Sequence, residues 1–229
     1  MRLNTILILI GLLGGLLLPS RANADIEYWQ GFTTLMPLQE EAWGKLSFQS
    51  FTVAQMAPRF DGIGILRFSN GPVWRPTPFF QLGAYADLIY IEAPAGHPTQ
   101  EYRLNLEPLF LGNVGEHLRW INRSRVEYRM FPDRNSWRLR NKLRFDLIHT
   151  ELPFVPFIDN EVFVSPFDKG FDQNRSRIGA QWQLPGSGQS LELAYQWRWR
   201  KNASEVWDSD HILMLFYFFN PPFQEASGR

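Results

Sequence analysis

The chain contains no cysteine. That excludes disulfides, thiolate metal sites, a cysteine nucleophile and the lipid-accepting cysteine of a bacterial lipoprotein. It also has no net charge, with 23 Lys plus Arg against 23 Asp plus Glu. No overall field therefore recruits nucleic acid or an acidic membrane surface. No linker, low-complexity run or helical amphipathic stretch divides its 229 residues, so one long all-β domain is the economical expectation. Long apolar runs are confined to the N-terminus. MRLNTILILIGLLGGLLLPSRANA supplies a positive Arg2, an apolar stretch over 6–18, a breaking Pro19 and the A-x-A site Ala22-Asn23-Ala24. The stretch falls short of the ~20 residues of a spanning helix. The expectation is a signal peptide over 1–24 that is cleaved near Ala24.

After Asp25 the dominant period is two. Strands are expected near 27–37, 43–54, 60–69, 78–90, 100–111, 117–131, 136–148, 156–164, 172–184, 189–200 and 209–219. Turn chemistry separates them at Pro132-Asp133-Arg134-Asn135, Pro185-Gly186-Ser187-Gly188, 70–78 and 91–98. Most of these segments exceed the usual soluble strand of ~5–6 residues.

What is abundant is aromatic and cationic. The chain has nineteen Phe and nine Trp, and 119–147 reads RWINRSRVEYRMFPDRNSWRLRNKLRFDL. With Pro132–Asn135 as the turn, Met130 faces Trp137, Arg129 faces Arg138, Glu127 faces Arg140, Arg125 faces Lys142 and Arg123 faces Arg144. Alternation then collects Arg119, Arg123, Arg125, Glu127, Arg129, Arg138, Arg140, Lys142, Arg144 and Asp146 on one face. The opposite face is uncharged and rich in Trp, Leu, Val and Tyr. Arg175 and Arg177, and Arg198 with Glu192, extend the charged face into later strands, and Glu161 joins from the strand between.

Periodicity alone does not say which face points inward. A soluble ligand-binding barrel buries its apolar face; a transmembrane barrel turns it outward and keeps a polar lumen. Strand length favours the second, as do Trp120, Trp137, Trp182, Trp197 and Trp199 near strand ends and the aromatic finish Tyr217-Phe218-Phe219. The fold expected is an antiparallel up-and-down transmembrane β-barrel over 25–219 with a polar tail over 220–229. Eleven segments are countable, but even parity in single-chain bacterial barrels points to ten or twelve.

Asn122-Arg123-Ser124-Arg125-Val126-Glu127-Tyr128-Arg129, followed by Trp137-Arg138-Leu139-Arg140, resembles a core motif of the bacterial outer-membrane family catalogued as domain of unknown function 2490. Phe171-Asp172-Gln173-Asn174-Arg175 resembles its next block and Asp210-His211-Ile212-Leu213 the opening of its final strand. The resemblance implies an outer-membrane β-barrel of a Gram-negative-type envelope and no established activity. One departure is that Asn220-Pro221-Pro222 and a tail follow the aromatic strand that assembly machinery commonly reads.

Two states of the charged lumen are open. Glu101 and Glu107 on one side and Glu161 on the other can balance the arginines as a salt-bridged plug. Alternatively, water and mobile anions fill a path for small carboxylated or phosphorylated solutes. Outer-membrane lipid, lipopolysaccharide and the barrel assembly machinery are the expected partners; no cofactor or metal is expected. Among catalytic possibilities, an outer-membrane hydrolase acting on lipid or peptide is the alternative to weigh. The local cluster Asp208-Ser209-Asp210-His211 is its only acid–hydroxyl–imidazole grouping, and a solvated loop entering the last strand is the simpler reading of it. His97, His117 and His149 are scattered without metal-ligand spacing, and no G-x-S-x-G elbow exists.

Overall fold

The computed structural model describes residues 26–56, 63–92, 98–168, 170–185, 188–202 and 204–221. The expected signal peptide and most of the tail lie outside these residues. Eleven strands follow one another: β1 (Ile26–Glu41), β2 (Gly44–Met56), β3 (Ile63–Thr77), β4 (Phe80–Ile91), β5 (Thr99–Val114), β6 (Leu118–Met130), β7 (Asn135–Leu147), β8 (Val155–Ser165), β9 (Gly170–Gln183), β10 (Gln189–Lys201) and β11 (Trp207–Phe219). Each pairs with its sequence neighbours, and the sheet closes into a barrel. Closure leaves no strand edge with unpaired backbone groups.

Eleven lies within the expected range of about 10–12 strands, but the even parity and the purely antiparallel description need correcting at the seam. An up-and-down path of eleven strands starts and finishes running in the same direction. β1 and β11 therefore pair parallel, from Ile26 opposite His211 to Thr34 opposite Phe219. Every other pair is antiparallel. The two chain ends of the barrel consequently lie at opposite rims.

The β6–β7 register also differs from expectation. The loop is Phe131 to Arg134, with Phe131 N–H donating to Arg134 O at 2.8 Å, so Met130 sits opposite Asn135. Tyr128 then faces Trp137, Glu127 faces Arg138, Arg125 faces Arg140 and Arg123 faces Lys142. The slip is two residues. Because strand side chains repeat every two, each stays on the face assigned to it.

β3 runs through Gly71-Pro72 and Pro76, where a turn is expected from composition. Its ladder to β2 is continuous here, but pairing with β4 skips from Asn70–Ala86 to Val73–Gly83. Pro72 has no N–H to give, and the wall absorbs the missing bond. The strands crowd together at this gap: a Cβ on Gly71 would lie 1.8 Å from Ala84 O. Only glycine fits.

The burial pattern inverts that of a water-soluble protein. Leu104, Ile158, Ile178 and Leu193 on the outer wall are 50–62% exposed, while Glu101, Glu127 and Asp146 are 0% exposed. Apolar packing exists inside too, as a cluster of Trp29, Val53, Phe157, Ala194, Ile212, Met214 and Phe216. It draws on β1, β2, β8, β10 and β11, so side chains meet across the barrel and occupy one side of it.

Candidate functional site: the charged interior

Alternation aims the odd residues of β5 and β6, and the even residues of β7, at the interior. β5 supplies Glu101, Arg103 and Glu107; β6 supplies Arg119, Arg123, Arg125, Glu127 and Arg129. Glu127 is the hub. Arg138 and Arg140 bind its carboxylate at 2.6 and 2.7 Å, with Arg103 and Arg125 at 3.8 and 3.9 Å. Glu101 takes Arg103 at 2.6 Å and Arg129 at 2.5 Å. Glu107 pairs with Arg125 and, at 3.6 Å, with Arg123. Glu161 on β8 closes the group by binding Arg140 at 2.7 Å and Arg123 at 3.0 Å.

A second group joins strands that are not neighbours. Asp146 holds Arg119 at 2.6 Å and Arg144 at 2.5 Å. Arg144 on β7 then reaches Glu192 on β10 at 2.7 Å, spanning two intervening strands. Glu192 also meets Arg177 at 3.3 Å, and Asp159 binds Arg177 at 2.6 Å and Lys142 at 3.2 Å. Near the seam, Arg198 bridges Glu27 at 2.7 Å and Asp210 at 2.8 Å, while Arg67 pairs with Asp87 at 2.6 Å.

Aromatic rings support these guanidiniums from beneath. Phe163, 0% exposed, lies under Arg138, Arg140 and Arg175 at 5.3, 4.6 and 4.5 Å. Phe157 lies under Arg144 at 3.7 Å and Arg177 at 5.7 Å. The Phe157 ring occupies the space over Gly179, where a Cβ would come within 2.6 Å of it. Such contacts contribute about 2 kcal/mol when desolvated.

The charged residues singled out in the sequence share the face of the wall that carries the ion pairs. Arg119, Arg123, Arg125, Glu127, Arg129, Arg138, Arg140, Lys142, Arg144, Asp146, Glu161, Arg177 and Arg198 are joined by ion pairs. Arg175 is brought to the same face and makes no ion pair among the described residues. Sequence reasoning missed Glu27, Arg67, Asp87, Arg103 and Asp159 as members. The signal was available for two of them: Arg103 lies between Glu101 and Glu107 on the same alternating face, and Asp159 precedes Glu161 by two. Glu27, Arg67 and Asp87 stand apart from the alternating charged ladder and announce no pattern.

The pleat separates the Asp208–His211 cluster. Asp210 points inward to Arg198 and Arg200. His211 points the other way, with Nδ1 hydrogen-bonded to the Tyr195 hydroxyl and its ring stacked on Trp197. Acid and imidazole thus face different sides of the wall, which is no geometry for a hydrolytic relay.

What the interior can do chemically follows from its balance. Among the described residues, thirteen cationic side chains bridge ten carboxylates within it. Pairing offsets most of the desolvation of buried charge. The residual sign is positive.

Fold and site together define a closed, mixed β-barrel of eleven strands with charge on its inward face. The chain belongs to the family described as "Protein of unknown function (DUF2490)", which matches residues 27–209, from the first strand into the last. No curated protein and no solved structure matches it.

Proposed function

We propose that the protein is an outer-membrane β-barrel that serves as a structural barrel with a packed, ion-paired interior rather than as a wide pore. The observation that carries this is the inversion of burial: leucines and isoleucines on the open face, carboxylates fully enclosed. Water would oppose that order, whereas a hydrocarbon surround favours it. Strands of 11–16 residues suit a bilayer crossing. Aromatic pairs at both rims support it further. Tyr128–Trp137, Phe171–Trp207 and Trp197–Trp199 lie towards one rim, and Phe80–Phe110 and Phe154–Trp182 towards the other. Such belts anchor barrels at the headgroup level. Lipid, lipopolysaccharide and the barrel assembly machinery are the corresponding partners.

The test is envelope fractionation with a heat-modifiable gel shift. The protein is expected with the outer membrane, migrating differently before and after boiling; a soluble periplasmic species that migrates the same either way contradicts the proposal. A second reading, passage of small anionic solutes, is favoured by the cationic surplus. Planar-bilayer recording divides the two: the packed barrel is silent, whereas an anion path conducts with a preference that Arg123→Glu and Arg140→Glu weaken.

A further inference from the structure

Among the described residues, the inward cation Arg175 makes no ion pair. Across the sheet, inward residues line up from Lys142 to Glu161, Arg175, Arg198 and Asp210. Glu161 is engaged by Arg140 and Arg123, and Asp210 by Arg198 and Arg200. Arg175 therefore sits between Glu161, directly opposite on β8 but bridged at ion-pair distance by Arg140 and Arg123, and the like charge of Arg198, directly opposite on β10. Like charges so placed destabilise a sheet unless something intervenes.

Arg175 is nevertheless held in place. With the Gln173 amide turned so that its oxygen faces the guanidinium, that oxygen accepts from Nε and, at 2.8 Å, from Nη2. The cation also lies 4.5 Å from the Phe163 ring centre and 5.1 Å from that of Trp29. Nη1 has no acceptor among the described residues. A neutral amide and two rings position the group, and no carboxylate among the described residues lies within ion-pair distance of it.

A second observation is independent of that charge. Gln196, on the adjacent strand β10 and one inward step from Arg198, is 2% exposed, and its Nε2 has no acceptor among the described residues. An amide N–H buried without an acceptor is destabilising. By register Gln196 lies opposite Arg177, hence diagonal to Arg175 on the same face. Cross-strand diagonal neighbours lie roughly 7–8 Å apart, within reach of a shared small ligand.

We infer that the inward face at Arg175 and Gln196 is a seat for one small oxyanion, of the phosphate or carboxylate class, taken from solution. A planar guanidinium edge presents paired donors that match two oxygens of such a group. The amide of Gln196 supplies a donor from the neighbouring strand. The anion fills the place of the missing carboxylate in the row and reduces the repulsion between Arg175 and Arg198. The seat rests on the barrel reading above only in that it opens to the interior and not to lipid.

The experiment is calorimetric titration of the refolded full-length chain with inorganic phosphate. A maltoside detergent at low ionic strength keeps lipid phosphate from competing. Wild type is expected to bind one phosphate saturably, and Arg175→Met to weaken binding by about tenfold or more, since the charged fork and its paired donors are lost. Gln196→Leu weakens it less, and Arg134→Met in the β6–β7 turn leaves it unchanged. Absence of saturable binding in wild type, or wild-type affinity in Arg175→Met, overturns the seat. If Arg175→Met does not refold, Arg175→Lys replaces it: charge is retained and the fork lost, and undiminished affinity again overturns the inference. Failure to bind phosphate in a protein that fractionates with the outer membrane removes the seat alone. Phosphate binding by a periplasmic protein removes the location alone.

Discussion

Glu127→Gln isolates the electrostatic role of the interior because it changes one atom and preserves shape. Glu127 is fully enclosed, with Arg138 at 2.6 Å, Arg140 at 2.7 Å, Arg103 at 3.8 Å and Arg125 at 3.9 Å. The substitution removes two close charge-assisted contacts and leaves four guanidiniums around a neutral amide. Its group then holds six cations, Arg103, Arg123, Arg125, Arg129, Arg138 and Arg140, against the three carboxylates Glu101, Glu107 and Glu161. Removing one partner of a buried pair costs about 3–5 kcal/mol. Glu40 offers the contrast. It pairs with Lys45 at 2.7 Å, yet both side chains are about half exposed, so Glu40→Gln costs less than about 1 kcal/mol. Urea unfolding of the barrel refolded in detergent, followed by tryptophan fluorescence and the unboiled gel position, measures both. A double substitution Glu127→Gln with Arg138→Gln should recover part of the loss, because one unbalanced cation leaves with the acid. Equal stability of Glu127→Gln and Glu40→Gln would refute the reasoning, since the hub would then behave like a surface pair.

Two further predictions concern the wall. Ile178, 62% exposed on β9, is harmless as Ile178→Arg if it faces water, but costs about 2–4 kcal/mol at a bilayer midplane; folding yield into lipid vesicles, compared with micelles, reads the difference. Gly71→Ala drives a Cβ against the Ala84 carbonyl, and the strand shift it demands costs about 1–3 kcal/mol, measurable in the same urea titration.

Much of the wall was legible because a strand buried on one face writes its geometry in a two-residue period. All eleven segments were visible, and the charged ladder around Pro132 kept its face even where its register slipped by two. Gly71-Pro72 misled because composition reports turn propensity, whereas β2 on one side and a backbone gap on the other keep β3 extended. Parity misled because it assumes an antiparallel seam. Inside the barrel, alternation says which side chains face the interior but not which meet across it. Arg144 with Glu192, and Arg175 between Trp29 and Phe163, are set by curvature and closure. So is the pairing of Glu161 with Arg123 and Arg140, which leaves Arg175 without an ion pair among the described residues.

The claim on which the rest depends is that hydrocarbon surrounds the wall while ionised groups are sheltered within. Nitroxide labels placed singly at Arg177, Ile178, Glu192 and Leu193 of the vesicle-reconstituted barrel test it directly. Collision with dissolved oxygen should be high at 178 and 193 and low at 177 and 192. A reversed alternation, or one in which a water-soluble nickel reagent reaches 178 and 193 freely, would contradict it.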